Sequence, residues 1–165
     1  MCMTPATIIT TFKAIAEHYD CVFFAGVTAE FLRKTVEAEA SQGMTFVVID
    51  LQGLNIKDDF KTNQSKASFT LHIIQKDSGD SVSQEADNAS TTYDSIQTIC
   101  VNCYNTWIDI LRTLRSDNTT DSDYLAKYSS LTVSASDATY YVKPKLLGLM
   151  SGIFVNIEVG GIVEC

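Results

Sequence analysis

The sequence predicts an α+β domain in which a mostly antiparallel sheet packs against one long helix and two shorter helices. Three runs with helical apolar spacing and several strand-like runs indicate these elements. Strands and helices do not alternate regularly, and no Gly-rich phosphate loop follows a strand, which disfavours a nucleotide-binding α/β fold. The 165 residues fit a single domain, residues 1–165, that buries roughly two thirds of the surface its unfolded chain exposes.

The first helix is predicted from about residue 5 to residue 19. Thr4 can cap it, Pro5 suits its first position, and apolar residues that include Phe12 and Ile15 recur at helical spacing behind them. His18 falls in the last turn, where a histidine interacts favourably with the helix C-terminus. We interpret His18 as having this structural role rather than a catalytic one.

Three strands and the second helix are predicted before residue 77. In chain order they are a strand at 21–26, a helix from Thr28 to Gly43, and strands at 46–51 and 67–76. In the last of these, Phe69, Leu71 and Ile73 form one core face, and His72 lies on the other. We interpret His72 as a solvent-side or interface residue, because no second His or Cys lies within metal-ligand spacing.

Residues 77–92 are polar and acidic, with one aliphatic side chain larger than alanine. Such a segment buries too little to order by itself, so we predict a mobile acidic loop. Its acidic residues do not follow the order of a calcium-binding loop.

The third and longest helix is predicted from about residue 92 to residue 115, and it contains the motif ICVNCYN. Cys100 and Cys103 lie within its apolar stripe, far from the helix N-terminus that activates a redox C-x-x-C pair. No other cysteine or histidine has the spacing of a zinc site. We therefore predict that both cysteines are buried as small hydrophobic residues.

The same helix carries a second apolar row, formed by Val101, Tyr104 and Ile108. The resulting apolar arc is wider than one core contact needs. The row either covers a second layer of the domain or forms a subunit interface.

The C-terminal third contains three strand-like runs, at 129–136, 138–144 and 152–161. In the last run, Phe154, Asn156 and Glu158 alternate with aliphatic residues, as in a half-buried antiparallel strand. We predict that this strand offers a sheet edge to a neighbouring subunit.

Composition excludes several functions. The net charge of −8 disfavours binding to nucleic acid, but an acidic surface lets DNA pass without sticking. The N-terminal residues have no basic region or apolar run typical of a signal peptide or membrane span, and the five cysteines do not form a secreted disulfide framework. These features predict a cytoplasmic protein at synthesis, and no catalytic, cofactor-binding or metal-binding residue is predicted.

The order of elements, with strands FVVIDLQG and FTLHIIQK, an acidic loop, one long helix and the closing LLGLMSGIFVNIEV, resembles small virion proteins of tailed phages of gut Bacteroidetes. The family is that of head-to-tail connectors, tail terminators and tail-completion proteins. The resemblance implies a homo-oligomeric ring at the neck or tail of the virion, assembled in the host cytoplasm beside other neck or tail proteins. It also implies that DNA passes through the ring without specific binding, and it implies no catalysis, cofactor or membrane.

A ring requires two different contact surfaces on each subunit. The predicted interface residues are Val101, Tyr104, Ile108, Phe154, Asn156 and Glu158. Two alternatives remain open at the level of sequence. One is a cytoplasmic adaptor that adds a partner's strand to an exposed sheet edge, and the other is a small hydrolase with a Ser or Cys nucleophile.

Overall fold

The structure is a computed structural model that describes residues 4–37, 43–59, 61, 64–76, 89–115, 132–141 and 150–162. It confirms an α+β fold with three helices and a mixed sheet. The helices are α1 (Pro5–His18), α2 (Thr28–Glu37) and α3 (Ala89–Leu114). The strands are β1 (Val22–Gly26), β2 (Thr45–Asp59), β3 (Gln64–Lys76), β4 (Thr132–Ala135), β5 (Thr139–Tyr141) and β6 (Met150–Ile162).

The strand order is β1-β2-β3-β6-β4, and β5 also pairs with β6. β1 runs parallel to β2, and the other pairs are antiparallel. β6 therefore lies inside the sheet, between β3 and the short strands β4 and β5. The prediction that the last strand offers a sheet edge is wrong, because β6 uses both of its backbone edges for pairing. The outer strands are β1 on one side and the short β4 and β5 on the other.

The main core lies between one face of the sheet and the helices α1 and α3. Its centre includes an edge-to-face pair between Phe12 of α1 and Phe69 of β3, whose ring centroids are 5.2 Å apart. α1 begins as predicted, because the Thr4 hydroxyl accepts a hydrogen bond from the Thr7 backbone N–H at 3.1 Å and Pro5 follows it. Trp107 and Ile110 of α3 complete this layer above the sheet.

A smaller core lies on the opposite face, beneath α2. Phe31 of α2 stacks near Phe24 of β1 and Phe46 of β2, with ring centroids 4.7 Å and 5.4 Å away. Val48, Ile74 and Met150 complete this cluster. α2 covers only one end of this face, so the rest of it stays polar, as described below.

β2 is longer than predicted and reaches Asp59 rather than Leu51. Its pairing with β3 shifts register between Asp50 and Asn55, where the Asp50 carboxylate accepts a hydrogen bond from the Gln52 backbone N–H at 3.0 Å. This local turn makes a bulge, after which the strand resumes. Its mostly polar second half is held by the β3 ladder, and Ile56 within it packs against the main core.

Two other predicted boundaries differ from the structure. Residues 89–92, assigned from sequence to the mobile acidic loop, are helical and form the start of α3. The remainder of that predicted loop, residues 77–88, lies outside the described residues. α2 is described as far as Glu37, and Gly43, its predicted end, adopts a positive φ of 83° just before β2.

Candidate functional site

The six residues predicted as an oligomer interface fall into two groups on opposite sides of the sheet. Val101, Tyr104 and Ile108 lie on α3, which packs on the same face as α1. The other three, on β6, lie on the face that α2 partly covers, because Phe154 pairs with His72, two residues from Ile74 of the smaller core. The structure therefore gives two separate surfaces rather than one continuous site.

The first surface, here called the helix row, consists of Val101, Tyr104 and Ile108. Val101 is 50% exposed and Tyr104 is 38% exposed, and their i, i+3 spacing places these two apolar side chains next to each other on the helix. Ile108 is half-buried and packs against the main core. The row thus reaches the surface through Val101 and Tyr104.

The second surface is a polar groove of about 490 Å³ on the uncovered part of the α2 side of the sheet. β3, β6 and β4 form its floor, and Gly53 in the β2 bulge lies at its border. The polar side chains that line it are Ser68, Thr70, Ser134, Ser136, Asn156 and Glu158. Phe154 lies on the same face and is half-buried, with its ring centroid 6.2 Å from that of His72.

Hydrogen bonds fix the polar side chains of the groove. The Thr70 hydroxyl donates to Asn156 Oδ1 at 2.9 Å, and the Asn156 backbone N–H donates to Ser136 Oγ at 3.1 Å. Lys66 Nζ lies 3.0 Å from Glu158 Oε1, so the carboxylate in the groove already has a cation beside it. The groove therefore offers hydroxyl and amide groups with little net charge, which suits contact with neutral polar groups.

His72 is buried, with 6% of its surface exposed, so the prediction of a solvent-side histidine is wrong. The residue does lie on the face opposite Leu71 and Ile73, as predicted, but there its strand partners are Val48, which belongs to the smaller core, and Phe154, whose ring centroid is 6.2 Å away. Burial lowers the pKa of His72, and the Asp50 carboxylate acts in the opposite direction. His72 is therefore a neutral core histidine at physiological pH.

Cys100 and Cys103 are both buried in α3, which confirms that they fill the core. Burial, with smaller contributions from Cys100 and Cys21, raises the pKa of the Cys103 thiol to about 12, and burial likewise raises the pKa of Cys100. The Cys21 thiol is also buried, which, together with nearby Asp20, raises its pKa to about 11. Because the thiolate is the reactive form, these three cysteines are poor nucleophiles.

We expect thiol-specific reagents to modify these three cysteines only after local or global unfolding. In a Cys2→Ser/Cys165→Ser background at pH 8, about one in ten thousand Cys103 side chains would be ionised in the native state. Labelling followed by mass spectrometry should show three slow thiols that react fully in urea. Adding Tyr104→Cys, at an exposed position of the same helix, should create one fast thiol. Fast native labelling of Cys103 would contradict its placement in the core.

Among the described residues, no group of three His, Cys, Asp or Glu side chains is arranged to hold a metal ion. None of the helices in the same residues is both long and apolar enough to cross a bilayer. No known protein-family model matches the chain, and no curated protein matches its sequence.

The sequence singled out Asn156 and Glu158 as interface residues, a prediction that stays open, and it indicated neither the groove nor the hydroxyl-bearing residues that line it with them. Ser68 and Thr70 belong to β3, whereas Ser134 and Ser136 are contributed by β4 and the residue after it. Their alternation with apolar residues was the available signal, because it marks one polar face on each strand. Which polar faces meet depends on the strand order, which local patterns do not encode.

Proposed function

We propose that this chain is a structural virion protein of a tailed phage, which forms a homo-oligomeric ring at the neck or tail in a connector or tail-terminator role and has no catalytic activity. The observation that carries this proposal is the presence of two different surfaces on opposite sides of one sheet, the helix row and the polar groove. A closed ring of identical subunits is built from contacts between unlike surfaces. The resemblance in element order supplies the virion setting.

The chemistry of the described residues agrees with a structural role. Three thiols are buried and their pKa values are raised, and His72 is buried and neutral. In the polar groove, the hydroxyls of Thr70 and Ser136 are hydrogen-bonded to Asn156 and the main chain. These features support binding and assembly rather than nucleophilic catalysis.

Charge supports the place proposed for the ring. The chain carries 20 acidic and 12 basic side chains, for a net charge of −8. An acidic ring repels the phosphate backbone, so DNA passes through its lumen without specific binding. In this proposal the neighbours are other neck or tail proteins of the virion, and the subunits fold in the host cytoplasm before assembly.

Light scattering and negative-stain electron microscopy of the purified protein test the proposal. We expect a mass of several subunits and ring-shaped particles, and the ring population should grow with protein concentration. A protein that stays monomeric at all concentrations, alone and with the other neck and tail components, would contradict the proposal.

We expect Val101→Glu to weaken self-association at least about tenfold, because placing a carboxylate in an apolar contact costs roughly 1.4 kcal/mol or more. Val101 is half exposed, so the monomer should fold normally. The matched control is Asn102→Glu, which adds the same charge at the next exposed position of α3. Sedimentation equilibrium measures both variants, and equal weakening by the control would indicate a general charge effect instead of a contact through the helix row.

An adaptor module remains the alternative function, and the outer position of β1 in the sheet favours it. A partner strand could pair with β1, whose other side is paired with β2. The two functions differ in stoichiometry, since an adaptor remains one subunit with one partner. A complex of one chain with one extended peptide would support the adaptor.

A further inference from the structure

We propose that the helix row of one subunit packs against a different patch on a second copy of this chain, formed by Val22 and Met44 beside Asp20. We call this second surface the strand-edge patch. The pairing rests on the proposed function. Of the two surfaces on the α2 side of the sheet, it assigns the strand-edge patch, rather than the polar groove, to the contact with the helix row.

The exposed large apolar side chains of the described residues fall into two pairs. One pair is Val101 and Tyr104 of the helix row. The other is Val22, which is 36% exposed at the start of β1, and Met44, which is 39% exposed just before β2. Two small apolar patches on one chain are what a head-to-tail contact between copies requires, because each copy contributes one of them to each interface.

The two patches lie on opposite sides of the molecule. Val22 pairs with Phe46, whose ring belongs to the smaller core beneath α2, so Val22 lies on the α2 side at the outer strand of the sheet. Met44 precedes Phe46 by two residues and therefore lies on the same side, close to Val22. The helix row belongs to α3, which packs on the other face. This placement lets one subunit follow the next around a ring.

Charge favours the same pairing. Helical periodicity places Arg112, and Arg115 directly after the end of α3, on the same stripe as the helix row. The rise from Val101 to Arg112 along the helix axis is about 16 Å. The Arg112 side chain is 61% exposed and lies 3.8 Å from Asp109. On the other patch, Asp20 is exposed and precedes Val22 by two residues.

Copies of a chain with a net charge of −8 repel each other, and a contact that brings a cation to an anion offsets part of this repulsion. The proposed contact does this, since it brings the arginines at the end of the helix row towards Asp20 of the next copy. A contact of the helix row with itself would supply apolar side chains but no carboxylate beyond Asp109, which already lies 3.8 Å from Arg112 within each copy. The head-to-tail pairing is therefore favoured over a symmetric helix pair.

Two variants that each destroy one patch test the pairing by complementation. Val101→Glu places a charge in the helix row and leaves the strand-edge patch intact. Met44→Glu places a charge in the strand-edge patch and leaves the helix row intact. Each variant alone should lose self-association at least tenfold, because none of its copies carries two complementary intact patches. Mixed in equal amounts, they should form a one-to-one heterodimer that grows no further, since the intact row of one meets the intact patch of the other.

Controls add the same charge elsewhere on the same elements. Asn102→Glu on α3 and Asn55→Glu on β2 lie at exposed positions outside both patches and should assemble as the unmodified protein does. Thermal melts of all four variants, followed by circular dichroism, establish that each one folds. Asp20→Asn keeps a residue suited to the positive φ of 53° at this position and should weaken assembly at low salt more than at high salt.

The outcomes separate this inference from the proposed function. If the unmodified protein forms rings and folded Met44→Glu forms them equally well, the strand-edge patch is wrong and the ring stands. If Met44→Glu still associates while Val101→Glu does not, the helix row pairs with itself and the inference is overturned. A mixture of two folded variants that gives no heterodimer also overturns it. An unmodified protein that never associates contradicts the proposed function itself.

Discussion

Replacing Gly152 with alanine should destabilise the fold by about 3 kcal/mol or more, because the new methyl group has no space. Gly152 lies in β6 directly opposite Ile74 of β3. A Cβ at this position would collide with the carbonyl oxygen of Ile73 and would lie 2.8 Å from Ile74 Cα. Both are backbone atoms of the neighbouring strand, so relief of the clash requires the two central strands to separate.

The substitution should disturb the packing on both faces of the sheet. Cys100 on α3 lies above this point, with its thiol 3.8 Å from the Gly152 carbonyl oxygen, so a shift of β6 also disturbs the helix packing. For a domain of this size, the midpoint of thermal unfolding should fall by roughly 6–12 °C. Differential scanning calorimetry at a fixed protein concentration measures it, since association would raise the apparent midpoint.

Gly53→Ala is the matched control for this prediction. A Cβ on Gly53 would meet only the Asp50 carbonyl oxygen, at 4.0 Å, which is ordinary contact. We expect the free energy of unfolding to change by no more than about 0.5 kcal/mol, as at a surface position where the added methyl group fits. Equal stability of the two variants would show that the close approach of β6 and β3 at Gly152 is incorrect.

Much of the core could be predicted from sequence because it follows simple periodicities. Helical spacing placed Phe12 and Ile15 of α1 and both cysteines of α3 in the core, and they are buried there. Alternation placed the aliphatic residues of β6 on one face and Asn156 and Glu158 on the other, as observed. These patterns are local, and burial of one face requires them.

The second half of β2 could not be predicted in the same way. Residues 55–59 are mostly polar and have the composition of a loop, yet they form a strand paired with residues 64–68 of β3. Backbone hydrogen bonds to β3 stabilise them, together with local contacts such as the 2.6 Å hydrogen bond from the Ser65 hydroxyl to Asp58. A strand of this kind depends on its neighbour more than on its own composition.

The predictions of an edge position for β6 and of an exposed His72 failed for a related reason. A strand with one polar face looks the same at a sheet edge and in the middle of a sheet whose second face is partly open. Only the pairing with β3, β4 and β5 distinguishes the two cases for Phe154, Asn156 and Glu158. His72 looked exposed for the same reason, but it lies in the central strand β3 between Val48 and Phe154 and is buried.

Phe12→Ala should lower the free energy of unfolding by about 3–5 kcal/mol, because it leaves a cavity where α1 meets the sheet. The Phe12 side chain is 1% exposed and meets the edge of the Phe69 ring on β3. Part of the loss belongs to this ring pair, so a double-mutant cycle with Phe69→Ala should give a coupling of about 0.5–1.5 kcal/mol. Urea unfolding followed through Trp107 fluorescence measures all three variants.

Ile9→Ala is the control within the same helix. Ile9 is half-buried on α1, so its truncation removes fewer apolar atoms and does not open the centre of the core, and we expect the free energy of unfolding to fall by about 1 kcal/mol. A loss for Phe12→Ala no larger than that for Ile9→Ala would mean that α1 does not pack on β3 as described. A coupling energy near zero would instead indicate that α1 is placed as described but that the two rings do not contact each other. The cycle therefore separates the position of α1 from the geometry of the aromatic pair, and the first is what keeps the α1 side of the sheet closed beside α3.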